Sequence, residues 1–201
     1  MEEQDSIREM IEGCLRKDRR AQKRLYDQYA SKLFAVCLSY SFDYEEAQDN
    51  LHDGFIKILM YMNQYKGEGS FEGWMRRIMV NTSLERYRRR HKMKLIAEEI
   101  RAESSLSVEH ILEEISAAEL MDAVQELSPQ YRMVFLLYAV EGYNHKEIGK
   151  MLEISEGTSK SNYSRARSVL QERLKNYGTP AEARGRFRTI KPAAEDEIGV
   201  K

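Results

Sequence analysis

The chain has 201 residues, of which 42% are hydrophobic and 32% charged, and its formal net charge is −1 at pH 7. That is enough for one medium or two small domains with a buried core, and too apolar for a wholly unstructured chain. Two cysteines, Cys14 and Cys37, exclude a disulfide framework, four scattered histidines show no metal spacing, no apolar run approaches about 18 residues, and the charged N-terminus is not a signal peptide. A cytoplasmic protein with free thiols, no cofactor and no membrane insertion is expected.

Only 3 prolines and 11 glycines, among many Leu, Glu, Arg, Lys, Met and Ala, point to an all-α fold. Ile7, Met10, Ile11, Cys14 and Leu15 mark a first amphipathic helix, and Leu25, Tyr29, Leu33, Val36 and Cys37 a second. Asp43, followed by Glu46 at capping-box spacing, opens a third through Leu51, Phe55, Ile58 and Leu59. Gly67-Glu68-Gly69-Ser70 breaks the pattern, and Ser70 can cap a helix running from about Phe71 to His91. Its apolar positions Trp74, Ile78 and Leu84 leave Arg76, Arg77 and Asn81 partly free.

After Lys94 the periodicity weakens. The reading is two small helical domains, 5–94 and 118–177, joined by a flexible acidic linker, 95–117, and followed by a disordered tail, 178–201. In the second domain Leu120, Ala123, Val124 and Leu127 fall in phase, Ser128-Pro129 starts a new helix, and Gly142 ends it.

The near-zero net charge hides a strong segregation. Residues 76–94 hold eight Lys/Arg against one acid, residues 95–119 seven acids against one base, and residues 157–176 five Lys/Arg against one acid. Local patches, rather than the sum, set the field that a polyanion meets.

Residues 143–174 read as a short helix, a tight turn and a longer basic helix. Ile148, Met151 and Leu152 share one face of the first, and Tyr163, Ala166, Val169, Leu170 and Leu174 form the stripe of the second. Ser155 is a good N-cap between them. Thr158, Ser159, Lys160, Ser161, Asn162, Ser164, Arg165 and Arg167 are read as lying away from that stripe. Small hydroxyls let a helix lie deep in a groove, Asn and Arg reach base edges, and Lys and Arg reach phosphates. This is the layout of a DNA-reading helix-turn-helix. A two-helix packing unit with a solvated polar face is the other reading of the same periodicity.

Residues 61–91 bring Tyr61, Tyr65, Phe71 and Trp74 around a Gly-rich loop, immediately before the basic helix. Aromatics beside cations form a platform for unstacked bases, each worth about 1–3 kcal/mol. Tyr61 and Trp74 also lie at helical spacing from other apolar residues, which suits core. Phe71, next to the loop, is the aromatic expected to face a strand.

Three segments together resemble the extracytoplasmic-function (ECF) sigma factors, small members of the bacterial sigma-70 family. They are EEAQDNLHDGFIKIL (45–59), YKGEGSFEGWMRRIMVNTSLERYRRR (65–90) and LSPQYRMVFLLYAVEGYNHKEIGKMLEISEGTSKSNYSRAR (127–167). The resemblance implies a promoter-directing initiation factor that is not an enzyme and has no small-molecule substrate. It implies that Asp49, Leu51, Asp53, Phe55 and Ile58 grip the beta-prime clamp helices of core RNA polymerase, with the beta subunit a further partner. Phe71, Gly73, Trp74, Arg77, Asn81 and Arg88 would bind and open the −10 strand, and Thr158, Lys160, Ser161, Arg165 and Arg167 would dock in the −35 major groove. The acidic linker would thread polymerase channels, although a solvated spacer fits its composition equally. An anti-sigma factor is an implied partner.

Some positions depart from the family pattern. His52 and Asp53 stand where Gln-Glu is common, and mid-helix Gly54 costs about 1 kcal/mol relative to Ala. Glu153 holds a turn position where Gly is usual, so another turn geometry is expected there. Ser159 replaces a usual Val, which is expected to loosen the second helix. The competing function is a stand-alone helix-turn-helix regulator on a duplex operator, which leaves the aromatic–glycine–basic segment and the acidic linker without a use.

Overall fold

A computed structural model describes residues 2–95 and 117–177, with side chains described over 5–90 and 119–174. The expected linker and tail fall almost wholly outside these residues. Among the described residues there are α-helices, one 3-10 turn and one π-helical turn, and no strand. The helices are α1 (Glu2–Leu15), α2 (Arg19–Tyr40), α3 (Tyr44–Tyr61), α4 (Phe71–Leu95), α5 (Ala117–Gln125), α6 (Pro129–Phe135), α7 (His145–Leu152) and α8 (Glu156–Tyr177).

Helices α1–α4 form one bundle. Its core holds Met10, Leu25, Leu33, Cys37, Ile58, Met75, Met79 and Leu84, all nearly inaccessible. The apolar spacing of α1–α3 therefore points inward except at Leu15, which is 49% exposed at the end of α1, and both cysteines are buried free thiols. Burial pushes the Cys37 thiol up to about 12, so it stays protonated at neutral pH. Asp43 caps α3 by accepting from the Glu46 N–H at 2.8 Å, while the Glu46 carboxylate accepts from the Phe42 N–H at 2.5 Å. Gly54 has a positive reason to be glycine. A Cβ there would lie 2.1 Å from Met79 Sδ, so the buried Met79 side chain of α4 fills the space that Gly54 leaves on α3.

Helices α5–α8 form a second bundle around Val124, Val134, Leu136, Leu137, Ile148, Leu152 and Leu170. Pro129 stands in the first turn of α6, as the sequence predicts, but Ser128 makes no side-chain cap bond. Helix α6 passes into a π-helical turn, Leu136–Val140, before the break at Gly142. Between the bundles run contacts from the end of α2 to α5 and α6: Gln125 Nε2 donates to the Leu38 carbonyl at 3.1 Å, and Arg132 Nη1 to the Ser41 carbonyl at 2.8 Å. Arg132 also donates through Nη2 to the carbonyls of Gln125 and Leu127. It is 7% exposed, and desolvation holds its guanidinium below the ordinary arginine value.

Candidate nucleic-acid and partner interfaces

The helix-turn-helix is built by two caps and a left-handed residue. Asn144 and Glu147 form a reciprocal capping box at the start of α7: the Glu147 N–H donates to Asn144 Oδ1 at 3.0 Å and the Asn144 N–H to Glu147 Oε2 at 2.8 Å. Ser155 Oγ accepts from the Thr158 N–H at 2.9 Å at the start of α8. Between the helices Glu153 adopts φ 59°, ψ 39°. The usual left-handed turn is thus kept, contrary to the expectation of another geometry. The cost of about 1–2 kcal/mol for a non-glycine residue is carried by the bundle that α7 and α8 share. Gly149 makes the sharp approach possible, since a Cβ there would lie 2.9 Å from the Ile154 carbonyl oxygen.

Helix α8 then sorts its polar residues into two sets. Lys160, Ser161 and Arg167 are exposed, and Thr158 and Arg165 are half-buried. Lys160 pairs with Glu156 at 2.7 Å, the Ser161 hydroxyl bonds the Thr158 carbonyl at 3.0 Å, and the Arg167 guanidinium lies 6.0 Å from the Tyr163 ring centre. Ser159 and Asn162, read from sequence as part of the polar face, are instead 0% and 4% exposed. Helical phase places them with Ala166 and Leu170 on the packed side. Ser159 is not a loosened contact either, because its hydroxyl lies 3.0 Å from His145 Nδ1 and ties α8 to α7. Burial and then the nearby Lys160 lower the His145 pKa, favouring the neutral ring.

The loop before α4 takes left-handed backbone at Gly67 (φ 79°) and Gly69 (φ 81°), and the Tyr65 hydroxyl donates to the Gly69 carbonyl at 2.9 Å. Ser70 Oγ accepts from the Gly73 N–H at 3.0 Å, capping α4 as expected. Tyr65, Phe71 and Trp74 close into one cluster, with Phe71 and Trp74 nearly parallel at 5.8 Å and Tyr65 at 5.1 and 5.6 Å from them. The expected division of labour is reversed. Phe71 is 4% exposed, held edge-on by Tyr29 at 6.0 Å, whereas Trp74 is half-buried and Tyr61 is 42% exposed. As the first residue of α4, Phe71 points under the helix into the bundle.

Along α4, Arg77 and Asn81 are exposed and Arg88 is half-buried. The neighbouring arginines meet carboxylates of the protein itself. Arg86 bridges Asp49 and Asp53, both at 2.7 Å, and Arg90 lies 3.6 Å from Glu46 and over the Phe42 ring at 4.5 Å. Arg76, expected to be partly free, donates to Glu141 through Nη2 at 2.6 Å and Nε at 3.3 Å, and the Tyr40 hydroxyl donates to the same carboxylate at 3.0 Å. That bond, chiefly, raises the Arg76 pKa; burial, then the Glu141 charge, raises that of Tyr40.

On α3 the five residues expected to grip a partner separate by burial. Asp49 and Asp53 are exposed, but Leu51, Phe55 and Ile58 are 6%, 7% and 0% exposed and belong to the core. The apolar side chains that do reach solvent on this helix are Ile56 and Met60, 57% and 65% exposed. With Asp49 and Asp53 they follow i, i+4, i+7, i+11 spacing along one face. The sequence reading missed Ile56 and Met60 because the resemblance carried the gripping role onto Leu51, Phe55 and Ile58, which the fold buries. It missed Arg132 and Glu141 because each has a partner on the other bundle, Ser41 for Arg132 and Arg76 and Tyr40 for Glu141.

Among the described residues no cluster of three or more His, Cys, Asp or Glu side chains is placed to hold a metal ion, and no helix is long and apolar enough to cross a membrane. The family model described as sigma-70 region 2 matches residues 25–93, and that described as sigma-70, region 4 matches residues 117–170, together more than half of the chain. A solved structure, the sigma factor RpoE in complex with the anti-sigma factor NepR from Bartonella quintana, aligns at a TM-score of 0.45 with 23% identity, covering 76% of this chain and 96% of that one. The ECF RNA polymerase sigma factor SigE of Mycolicibacterium smegmatis is 28% identical over 160 residues, 77% of this chain and 62% of that protein's length. The RNA polymerase sigma-H factor of Pseudomonas aeruginosa is 26% identical over 186 residues, 85% of this chain and 95% of that one. The two bundles, one carrying the loop–basic-helix unit and the other the helix-turn-helix, are thus regions 2 and 4 of one polypeptide, and the chain belongs to the ECF sigma factors of the sigma-70 family.

Proposed function

We propose that this protein binds core RNA polymerase, directs it to promoters with −10 and −35 elements, and opens the DNA at the −10 element, with no catalytic step of its own. The observation that carries this reading is the presence of two different basic helices in one chain. Helix α8 offers Thr158, Lys160, Ser161, Arg165 and Arg167 from a capped helix-turn-helix, a form suited to duplex. Helix α4 offers Arg77, Asn81 and Arg88 behind a Gly loop and an aromatic cluster, a form suited to an unstacked strand.

Trp74 would supply the stacking face, resting on Phe71. Gly73 would keep backbone open near the strand. Asp49 and Asp53, with Ile56 and Met60 beside them, would meet the beta-prime clamp helices, while Leu51, Phe55 and Ile58 hold α3 in place from within. The beta subunit is the expected neighbour of the −35-reading bundle, and an anti-sigma factor, present with the sigma factor of the Bartonella structure, is a natural regulator. These partners belong to the cytoplasm. A stand-alone regulator would need only the helix-turn-helix and leaves the α4 unit unused.

Runoff transcription with core polymerase and genomic fragments tests the reading. Specific transcripts are expected only when the protein is added. Tight, sequence-specific duplex binding by the protein alone, with no transcript, would overturn it.

A further inference from the structure

One aromatic group of the helix-turn-helix bundle has no part in the promoter reading. It begins at the end of α6, where the backbone widens into the π-helical turn Leu136–Val140 and the Glu141 N–H donates to the Leu136 carbonyl, five residues back, at 3.0 Å. Tyr138 lies in that turn. Its ring is nearly parallel to that of His145, with 4.4 Å between centres and 10° between planes, and it also meets the Tyr163 ring at 4.5 Å. His145 and Tyr163 are themselves 5.8 Å apart, and Phe135 stacks on Tyr163 at 6.0 Å. The three rings thus join the π turn, the first residue of α7 and the middle of α8. His145 holds α8 at a second point through the 3.0 Å contact of Nδ1 with Ser159 Oγ.

Core packing does not account for the outermost ring. Tyr138 is 39% exposed, whereas Leu136 and Leu137 just before it are buried. What Tyr138 and His145 reach is Tyr163, which lies one helical turn before Arg167 on the same side of α8. The Arg167 guanidinium stands 6.0 Å from the Tyr163 ring centre, at the outer edge of a cation–π contact. Burial raises the Tyr163 pKa and the Arg167 charge opposes that rise, so the two groups feel each other electrostatically. Arg167 is exposed and forms no ion pair with an acid among those described, so the ring is what restrains its guanidinium. A free arginine loses rotamer freedom when its fork meets a base edge, and one already held loses less.

We propose that Tyr138, stacked on His145, is a positioning residue for −35 readout: through the Tyr163 ring it holds Arg167 in the orientation that meets the major groove. The proposal rests on the initiation-factor reading and adds to it a source of specificity that touches no DNA. The restraint itself is tested without promoter or polymerase, by NMR relaxation of the arginine side-chain Nε groups in the full chain. In Tyr138→Ala the Arg167 Nε–H is expected to become more mobile while that of Arg165 is unchanged. Tyr138→Phe, which keeps the ring, is expected to restore the restraint. Unchanged Arg167 mobility in a folded Tyr138→Ala, or equal loosening of Arg165 and Arg167, overturns the proposal.

The consequence for specificity is read in runoff transcription from a promoter and its single-base −35 variants. Tyr138→Ala is expected to reduce discrimination among them about two- to fivefold, the size of an exposed cation–π contact. The same loss is expected on top of Arg165→Ala and no further loss on top of Arg167→Ala, because only residues that act together are non-additive. Undiminished discrimination, a uniform fall on every promoter variant, or a full further loss on top of Arg167→Ala overturns the positioning role. Absence of transcription from the parent would instead refute the initiation-factor reading, leaving the Arg167 mobility to decide the restraint.

Discussion

Helices α4 and α8 have similar compositions and different electrostatic situations. Both are long, both carry several arginines, and both follow a serine-capped turn. On α4, Arg76, Arg86 and Arg90 are matched by Glu141, Asp49, Asp53 and Glu46 from α3 and from the second bundle. On α8, Lys160 is matched only within its own first turn, while Arg165 and Arg167 form no ion pair with an acid among those described. A count of basic residues thus overstates the field α4 presents and describes α8 fairly. The difference is one of neighbours: α4 packs centrally in its bundle beside acidic α3, whereas Lys160, Ser161 and Arg167 on the outer face of α8 are exposed.

The sharpest way to break this comparison is Trp74→Ala. If α4 acts through its aromatic platform more than its charge, open-complex formation falls by up to about 3 kcal/mol, the upper end for a stacked base, while recruitment changes little. Permanganate footprints at the −10 element measure this, and unchanged intensity would remove the platform from the mechanism. On α8 charge and hydrogen bonding are expected to dominate. Arg165→Ala is expected to cost about 2 kcal/mol at the −35 element and to flatten the response to −35 promoter mutations, as read in transcription assays.

Arg86→Ala tests the occupied side of the comparison. Its two bridges are largely solvent-exposed, so the bundle is expected to lose less than about 1 kcal/mol in urea unfolding, and less still at high salt. The larger consequence is expected in polymerase affinity, because Asp49 and Asp53 lose the cation that holds them in register. The smallest effect concerns pH. The folded-state pKa of His145 is lowered, so the unfolded chain binds more protons below the ordinary histidine value. Stability contributed by the neutral ring is present above about pH 6.5 and is lost as pH falls through that region. His145→Gln is expected to flatten that segment of the pH–stability curve.

Much of this was legible from residue order alone. Period 3.6 in α1–α3, Ser70 and Ser155 as caps, Pro129 in a first turn and the three family-like segments each report local physics that holds wherever the chain is placed. What failed did so where a neighbour decided. Phe71 reads as a loop-flanking aromatic, and only Tyr29 and the bundle beneath show it to be core. Ser159 and Asn162 read as groove-facing polar residues because their type outweighed their phase. Glu153 reads as a turn disruptor, yet the packing of α7 on α8 holds it left-handed. Gly54 reads as a helix defect until Met79 is seen to occupy the space.

By itself, then, the sequence determined the helices, the caps at Asp43, Ser70 and Ser155, the segregation of charge and the family, because these depend on spacing and residue type within a few turns. Tertiary structure decided which arginines remain available to a nucleic acid, which apolar residues of α3 face outward, and that Glu141 reaches across to Tyr40 and Arg76. Those outcomes depend on groups up to about a hundred residues apart in the chain, and Coulomb attraction and burial act on distance in space, which residue order does not encode.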